Sequence, residues 1–351
     1  MGRASRCALL LASAALLAGA GAGLADEMAA RGARRDQDGR YLNQAGALPF
    51  ASPAITLPFF LRRFGTTLTG RTGYAESIAN DGAFLRANAR HSVPSVTWIG
   101  HATLLVQMDH VSFLTDPIWS ERASPMSFTG PKRAQPPGVA LDALPPIDFV
   151  LISHDHYDHL DVPTLRALAE LRPETRFVAP LGNGPTLRDA GVTNVVELDW
   201  RQSVEIDGLR IVCLPAQHWS GRGAFDQRVT LWGSFAVLGP EHRFFFAGDT
   251  GYHAGFAEIG AAYGAFDLAA LPIGAYAPAA MMHFWHMNPE EALQAGRDLR
   301  AQRLVPMHYG TFDLSDEDPD EPPRRFRAAA AAGALDPDAL YLLRIGETRE
   351  F

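Results

Sequence analysis

One stretch constrains this 351-residue chain more than any other: FVLISHDHYDHLD, residues 149–161. The apolar run FVLIS (149–153) has the length and β-branched content of a buried strand. It leads straight into His154, Asp155, His156, Tyr157, Asp158 and His159, an H-x-H-x-D-H pattern. A strand end followed by a tight turn lets alternate side chains converge on one point. Imidazoles and a carboxylate suit a borderline divalent cation such as zinc. A histidine-rich surface turn would have the same local composition, but ligand-type residues recur downstream in the same setting. LRIVCLPAQHW reaches His218, RFFFAGDT reaches Asp249 and RLVPMHYGTF reaches His308, each just beyond an apolar run. A lone histidine after a strand is more often a satisfied hydrogen-bonding residue than a ligand. Three such positions beside the motif reverse that balance, because the strand ends of a sheet can converge.

The texture around these residues predicts a layered α/β architecture. Short apolar runs begin at SVTWI (95–99) and continue through TLLV (103–106), VSFLT (111–115), RFVAP (176–180) and NVVEL (194–198). Later strand candidates are LRIVCLPA (209–216), TLWGSFAVLG (230–239), HRFFFAG (242–248), DLAALPIG (267–274) and RLVPM (303–307). Helices are fewer. Leucines at helical spacing mark 164–171, behind Pro163, and PRRFRAAAAA marks 323–332. The segment 288–300 opens with a capping signature, Asn288 as cap, Pro289 at the first helical position and Glu291 closing a capping box. The acidic, proline-rich stretch 316–323 predicts an irregular, exposed loop.

Residues 1–25 read as a signal peptide: Arg3 and Arg6 precede an apolar stretch, and a small-residue run ends at Ala25. Export, to the periplasm or a membrane, follows from that reading. An uncleaved anchor is the alternative, although the Ala/Gly-rich stretch is weakly apolar for a span. Cleavage would leave Cys213 as the one remaining cysteine, inside an apolar run where a buried, unreactive thiol is expected. Residues 26–94 form an N-terminal extension with few clear periods, and the main domain runs 95–351. Within the extension Phe59, Phe60, Leu61 and Phe64 stand beside Arg62 and Arg63, an arrangement that suits a membrane surface. Packing of this arm onto the main domain is the favoured reading. The net charge of −8 and the lack of a basic face argue against a nucleic-acid partner.

The set H-x-H-x-D-H, a separate His, an Asp and a last His resembles the metallo-β-lactamase superfamily. Longer stretches, GHATLLV (100–106), LTDPIWSERASPMSFTGPKR (114–133), LPPIDFVLISHDHYDHLD (144–161), LWGSFAVLGP (231–240), RFFFAGDTGY (243–252) and FDLAALPIGAY (266–276), resemble its N-acylphosphatidylethanolamine-hydrolysing phospholipase D branch. The resemblance spans about residues 95–351. It implies an αββα sandwich, two mixed β-sheets flanked by helices. It implies two zinc ions per chain, one held by His154, His156 and His218, the other by Asp158, His159 and His308, with Asp249 bridging; His/Asp sites leave iron and manganese open. It implies a phospholipid substrate and a homodimer, and places His286, in HFWHMNPEE, beside the substrate phosphate. Asp158, Asp249 and His286 are therefore the catalytic candidates.

Other residues are read from their placement alone. Tyr157, inside the metal loop, and Tyr276, after PIG, are candidates for the pocket wall, packing being the plainer reading of Tyr276. Asp116, in TDP, either orients a ligand histidine or caps a turn. Trp285, preceded by Met281 and Met282, departs from the polar residue of the branch's mammalian members. Two metals sharing a water suit attack on phosphorus or a carbonyl. The expected reaction is hydrolysis that releases N-acylethanolamine and phosphatidic acid. The rivals are a lactonase or phosphoesterase acting on a soluble metabolite and a metal-binding protein without turnover. β-Lactam hydrolysis is disfavoured by His159 after Asp158 and by Asp249 where a Cys would stand.

Overall fold

A computed structural model describes residues 32–69, 74–333 and 335–351. The signal peptide expected at 1–25 lies outside them. The described strands form two sheets. The first holds β1 (Ser95–Gly100), β2 (Thr103–Met108), β3 (Val111–Thr115), β4 (Phe149–Leu151), β5 (Arg176–Pro180), β6 (Val195–Leu198) and β13 (Thr348–Glu350), in the order β13-β1-β2-β3-β4-β5-β6. The second holds β7 (Ser203–Ile206), β8 (Leu209–Leu214), β9 (Ser234–Leu238), β10 (Arg243–Phe246), β11 (Leu268–Pro272) and β12 (Arg303–Met307), in the order β12-β11-β10-β9-β8-β7. Both are mixed: β3 to β6 and β10 to β12 pair in parallel, the remaining neighbours antiparallel.

The period-2 alternation of the strands divides the first sheet between two cores. Val96, Trp98, Leu104, Val106, Phe113, Phe149 and Leu151 face the second sheet and share one core with it. Their neighbours Ile99, Leu105, Leu114, Val150 and Ile152 face outward into a second core. There they meet Leu85 of α2 (Ala83–His91), Leu165 and Leu168 of α3 (Val162–Leu171) and Leu187 of α4 (Gly184–Asp189). Phe113 stacks on Phe149 at 4.6 Å and meets Phe244 of the opposite sheet edge-on at 5.6 Å, which ties the two sheets together. Full burial of each such ring contributes about 1.5–3 kcal/mol. β10 is buried on both faces at Phe244, Phe245 and Phe246, because α5 (Gly255–Tyr263) and α7 (Pro289–Asp298) cover the far side. The result is the αββα layering expected.

The capping box holds: Glu291 N donates to Asn288 Oδ1 at 2.9 Å and Asn288 N donates to Glu291 Oε2 at 3.0 Å. Cys213 is buried among apolar neighbours, and burial pushes its thiol far up, as an inert cysteine requires. Several expectations need correction. The run 230–239 is strand only at Ser234–Leu238, since Thr230 turns its hydroxyl to Asp155 instead. The short edge strands β7 and β13 carry no long apolar run and went unread. The stretch 316–323 is neither wholly irregular nor wholly exposed. Glu317 is buried and accepts from Ala275 N and Ala277 N, and α8 (Glu321–Ala332) starts inside the stretch.

The described part of the extension lies on the sandwich. Tyr41 enters the inter-sheet core, and Ser77 bridges to Ile345. α1 (Pro53–Thr69) forms despite Pro58 in its second turn. It buries Phe59, and Arg62 and Arg63 pair with Asp316 and Asp313. This is the packing reading of the arm, yet Leu57, Phe60 and Leu61 of the same helix stay exposed.

Candidate metal centre

Strand direction explains why residues far apart in the chain meet. β1, β3 and β4 run one way in the first sheet, and β8, β10 and β12 run one way in the second. His101 follows β1, Asp116 follows β3 and the H-x-H-x-D-H turn follows β4. His218, Asp249 and His308 follow β8, β10 and β12. Three of these residues, His101, Asp116 and His308, have φ of 54°, 33° and 62°. The left-handed region is costly for residues with a Cβ, and such positions cluster at functional sites.

Two adjoining clusters result. In the first, His154 Nε2 and His218 Nε2 lie 2.8 and 3.3 Å from His156 Nδ1. Hydrogen bonds behind the rings fix their protons. His218 Nδ1 is 2.9 Å from the Trp285 carbonyl, which only accepts, so the proton is on Nδ1 and Nε2 offers a lone pair. Ser153 Oγ donates to Asp116 Oδ2 at 2.5 Å and so accepts from His154 Nδ1 at 2.8 Å, which leaves His154 Nε2 bare as well. Two lone pairs therefore aim at His156 Nδ1, a geometry that a shared cation satisfies and a hydrogen bond satisfies for at most one. Burial, with His159, His156 and His218 adding to it, holds His154 well below the ordinary imidazole range. Burial does the same for His218, so both rings are neutral, as ligands must be.

The second cluster joins Asp158, His159, His308 and His101 within ligand-sharing distance. Asp158 Oδ2 is 3.4 Å from His159 Nε2 and 3.5 Å from His308 Nε2. Asp249 Oδ2 lies between the clusters, 3.1 Å from His159 Nε2, 3.0 Å from His308 Nε2 and 3.9 Å from His218 Nε2. Burial works against charge on His159, but Asp249, Asp158 and Asp116 outweigh it and raise the ring well above its ordinary range. Against the same burial, Asp249 and Asp158 raise His308 to about 9. Negative charge concentrated in this way is what a cation neutralises. His159 Nε2, His308 Nε2, Asp249 Oδ1 and His286 Nδ1 are buried without a hydrogen-bond partner. Each such atom costs about 1–3 kcal/mol unless something satisfies it, so the donor set fits divalent metal.

The remaining expected residues divide. Asp116 orients two of the ring systems, accepting from Ser153 N at 2.7 Å and from His159 Nδ1 at 2.6 Å. His286 has Nδ1 3.9 Å from Asp249 Oδ2, and burial pushes its ring down to about 4. Tyr157 lines the adjoining cleft, but its hydroxyl donates to the Arg222 carbonyl at 2.9 Å. Tyr276 follows its packing reading: its hydroxyl donates to Glu321 at 2.7 Å under the Arg325 guanidinium, and its backbone neighbour Ala275 lines the cleft. The cleft holds about 340 Å³ and has an apolar wall that includes Phe50, Met281, Met282 and Trp219. Phe50, from the extension, stacks on Trp285 at 5.1 Å and meets Trp219 edge-on at 5.5 Å.

Two contributors escaped sequence reasoning. Asn43, in the extension, pairs its amide with the backbone of His218 at 2.9 and 3.0 Å. No local signal announces a contact 175 residues away. His101 was findable, because it ends the SVTWIG run as the other ligand-type residues end theirs.

Behind the centre, His253 lines a separate cavity of about 840 Å³. Burial pushes its ring to about 4, below the value near 6.5 of the unfolded chain. The folded state resists a proton that the unfolded state takes, so stability is full above pH ~6.5 and falls as pH drops toward 4. The loss is on the order of 2–3 kcal/mol. At matched metal loading, His253→Gln is expected to melt with a flatter pH dependence between pH 7 and 4.5 than the parent. Parallel curves would remove His253 as the cause.

The model of the β-lactamase superfamily domain matches residues 112–309. An uncharacterised protein of Mycobacterium tuberculosis is 50% identical over 244 residues, covering 67% of this chain and 64% of that protein. N-acyl-phosphatidylethanolamine-hydrolyzing phospholipase D 1 of Caenorhabditis elegans is 43% identical over 228 residues, covering 62% of this chain and 64% of its own length. The chain thus spans less than two thirds of either relative. Among solved structures, the metallo hydrolase Igni18 of Ignicoccus hospitalis superposes with a TM-score of 0.55 at 26% identity, over 74% of this chain and 98% of that one.

Proposed function

This chain belongs to the β-lactamase superfamily, as a metal-dependent hydrolase, and from that premise we propose that it is a two-metal phosphodiesterase acting on N-acylated phospholipids. The observation that carries the reading is the convergence of ring nitrogens from His154, His156 and His218 beside the Asp158–His159–His308 cluster, with Asp249 Oδ2 reaching both. His154, His156 and His218 would hold one cation, Asp158, His159 and His308 the other, and Asp249 would stand between. When bound, two zinc ions would lower the pKa of a shared water and neutralise charge on phosphate oxygens.

The chain's own residues do the rest. Asp116 and Ser153 hold His154 and His159 in one tautomer and orientation. His286, neutral at physiological pH, presents a ring nitrogen beside Asp249 where a phosphate oxygen would lie. Phe50, Trp219, Met281 and Met282 exclude water and receive acyl chain. In the reaction water oxygen bonds to phosphorus and the phosphorus–oxygen bond to the head group breaks. One water proton leaves with N-acylethanolamine, and phosphatidic acid keeps the water oxygen. The name of the nematode relative and the apolar wall support this substrate class over a soluble diester. A lipid surface is the proposed partner, met by Leu57, Phe60 and Leu61, which project from the helix whose Thr56 lines the cleft.

The test is hydrolysis of N-acylphosphatidylethanolamine in mixed micelles, with metal content measured on the same sample. Release of N-acylethanolamine by protein carrying about two metals per chain is expected. Two metals without release would move the function to a soluble phosphodiester or a lactone. Less than one metal per chain would overturn the two-metal reading.

A further inference from the structure

His101 stands apart from the other imidazoles of the centre. It is fully buried, and Nε2 lies 3.0 Å from Asp158 Oδ2 in hydrogen-bond alignment. His159 and His308 approach Asp249 Oδ2 as closely, at 3.1 and 3.0 Å, yet their Nε2 atoms form no aligned hydrogen bond. His101, by contrast, aligns its Nε2 with the Asp158 carboxylate itself. The rear nitrogens do not repeat that division, since His308 Nδ1 and His156 Nε2 are buried without a partner just as His101 Nδ1 is. Behind the ring, His154, His159 and His218 each meet a partner that takes their proton. His101 Nδ1 is buried with no partner. A carboxylate oxygen only accepts, so the proton of the aligned His101–Asp158 pair sits on Nε2 and is donated to Asp158.

The surroundings hold that ring rigidly. His101 N donates to Thr311 Oγ1 at 2.7 Å, and its carbonyl accepts from His308 N at 3.1 Å and from Trp98 Nε1 at 2.9 Å. The His101 ring lies against the His308 ring, centroids 4.1 Å apart, and Phe312 closes the far side at 5.2 Å. One residue thus contacts three members of the second cluster: Asp158 by hydrogen bond, His308 by ring and backbone, and His159 by its ring at 5.3 Å.

We propose that His101 is a positioning residue of the second cation site, donating from Nε2 to Asp158 so that this carboxylate keeps one orientation toward His159 and His308. His101 is accordingly not itself a ligand. The proposal rests on the two-metal reading of the site. Its test compares the parent with His101→Gln, whose amide nitrogen falls near the Nε2 position, and His101→Leu, which has no donor. Zinc affinity is measured by chelator competition, and Co²⁺-loaded protein reports coordination by its visible spectrum.

His101→Leu is expected to weaken the second cation 10–100-fold and leave the first unchanged. His101→Gln is expected to recover affinity to within roughly threefold of the parent, with the parent Co²⁺ spectrum. Should His101→Leu fail to fold, His101→Asn, whose shorter amide stops short of Asp158, takes its place. Parent-like affinity in the donorless variant would overturn the proposal. Equal loss in Gln and Leu variants, with a Co²⁺ spectrum showing one fewer nitrogen, would overturn it by making His101 a ligand. Uptake of fewer than two cations by the parent itself would overturn the underlying reading of the site, and this inference with it.

Discussion

Asp249→Ala is expected to lower kcat/KM by at least about 10³-fold and bring metal content below two per chain. Its Oδ2 lies within 3.1 Å of His159 and His308 and within 3.9 Å of His218 and His286, so one oxygen touches both clusters. Burial works to raise this carboxyl, but His159 and His308 outweigh it and hold it well below the usual carboxylate range. Without it, buried ring nitrogens lose the charge that balances them. Two retained metals and a parent rate would exclude Asp249 from the bridging role.

Asp116→Ala is expected to damage stability and metal binding together, with no direct contact to substrate. Its side chain is fully buried, and burial alone would push the carboxyl up, an effect opposed by His159 and Ser153. Its two oxygens receive Ser153 N, Ser153 Oγ and His159 Nδ1. Removal strands these donors and frees two ring orientations at once, since His154 is held through Ser153. Loss of one partner of such a buried charged network costs about 3–5 kcal/mol. Metal affinity is expected to fall 10–100-fold. Urea unfolding of metal-free protein separates the first effect from the second. An unchanged unfolding midpoint with parent metal affinity would show that Asp116 merely caps its turn.

The legibility of this protein is uneven in a physically sensible way. The ligand-type residues of the H-x-H-x-D-H turn, His218, Asp249 and His308 were readable because each follows an apolar run, and a run of that length buries as a strand. His101 obeys the same rule after SVTWIG. Sequence alone does not separate it from a histidine satisfied by hydrogen bonds, which is the ordinary role of a single histidine after a strand. Tyr276 takes the packing alternative of its two readings. Proximity in sequence to a site-lining loop says nothing of rotamer, and α8 supplies Glu321 and Arg325 to draw its ring away. Helix α1 was hidden by Pro58 and by apolar residues on more than one face; packing of Phe59 and the pairs of Arg62 and Arg63 override that local signal.

By itself the sequence determined which chemistry was available: the donor types, their spacing in the turn after β4, and the apolar runs that build two sheets. These are local properties, set by side-chain chemistry and by the period of a strand. Tertiary structure decided which donors meet. Only the shared direction of β1, β3 and β4, and of β8, β10 and β12, brings their ends to one place. It also decided the protons, because a ring's tautomer follows from the acceptor behind it, and those acceptors arrive from Asp116, Ser153 and Trp285. The same holds for Asn43 and Phe50, whose roles at the centre exist only once the extension folds across the sandwich.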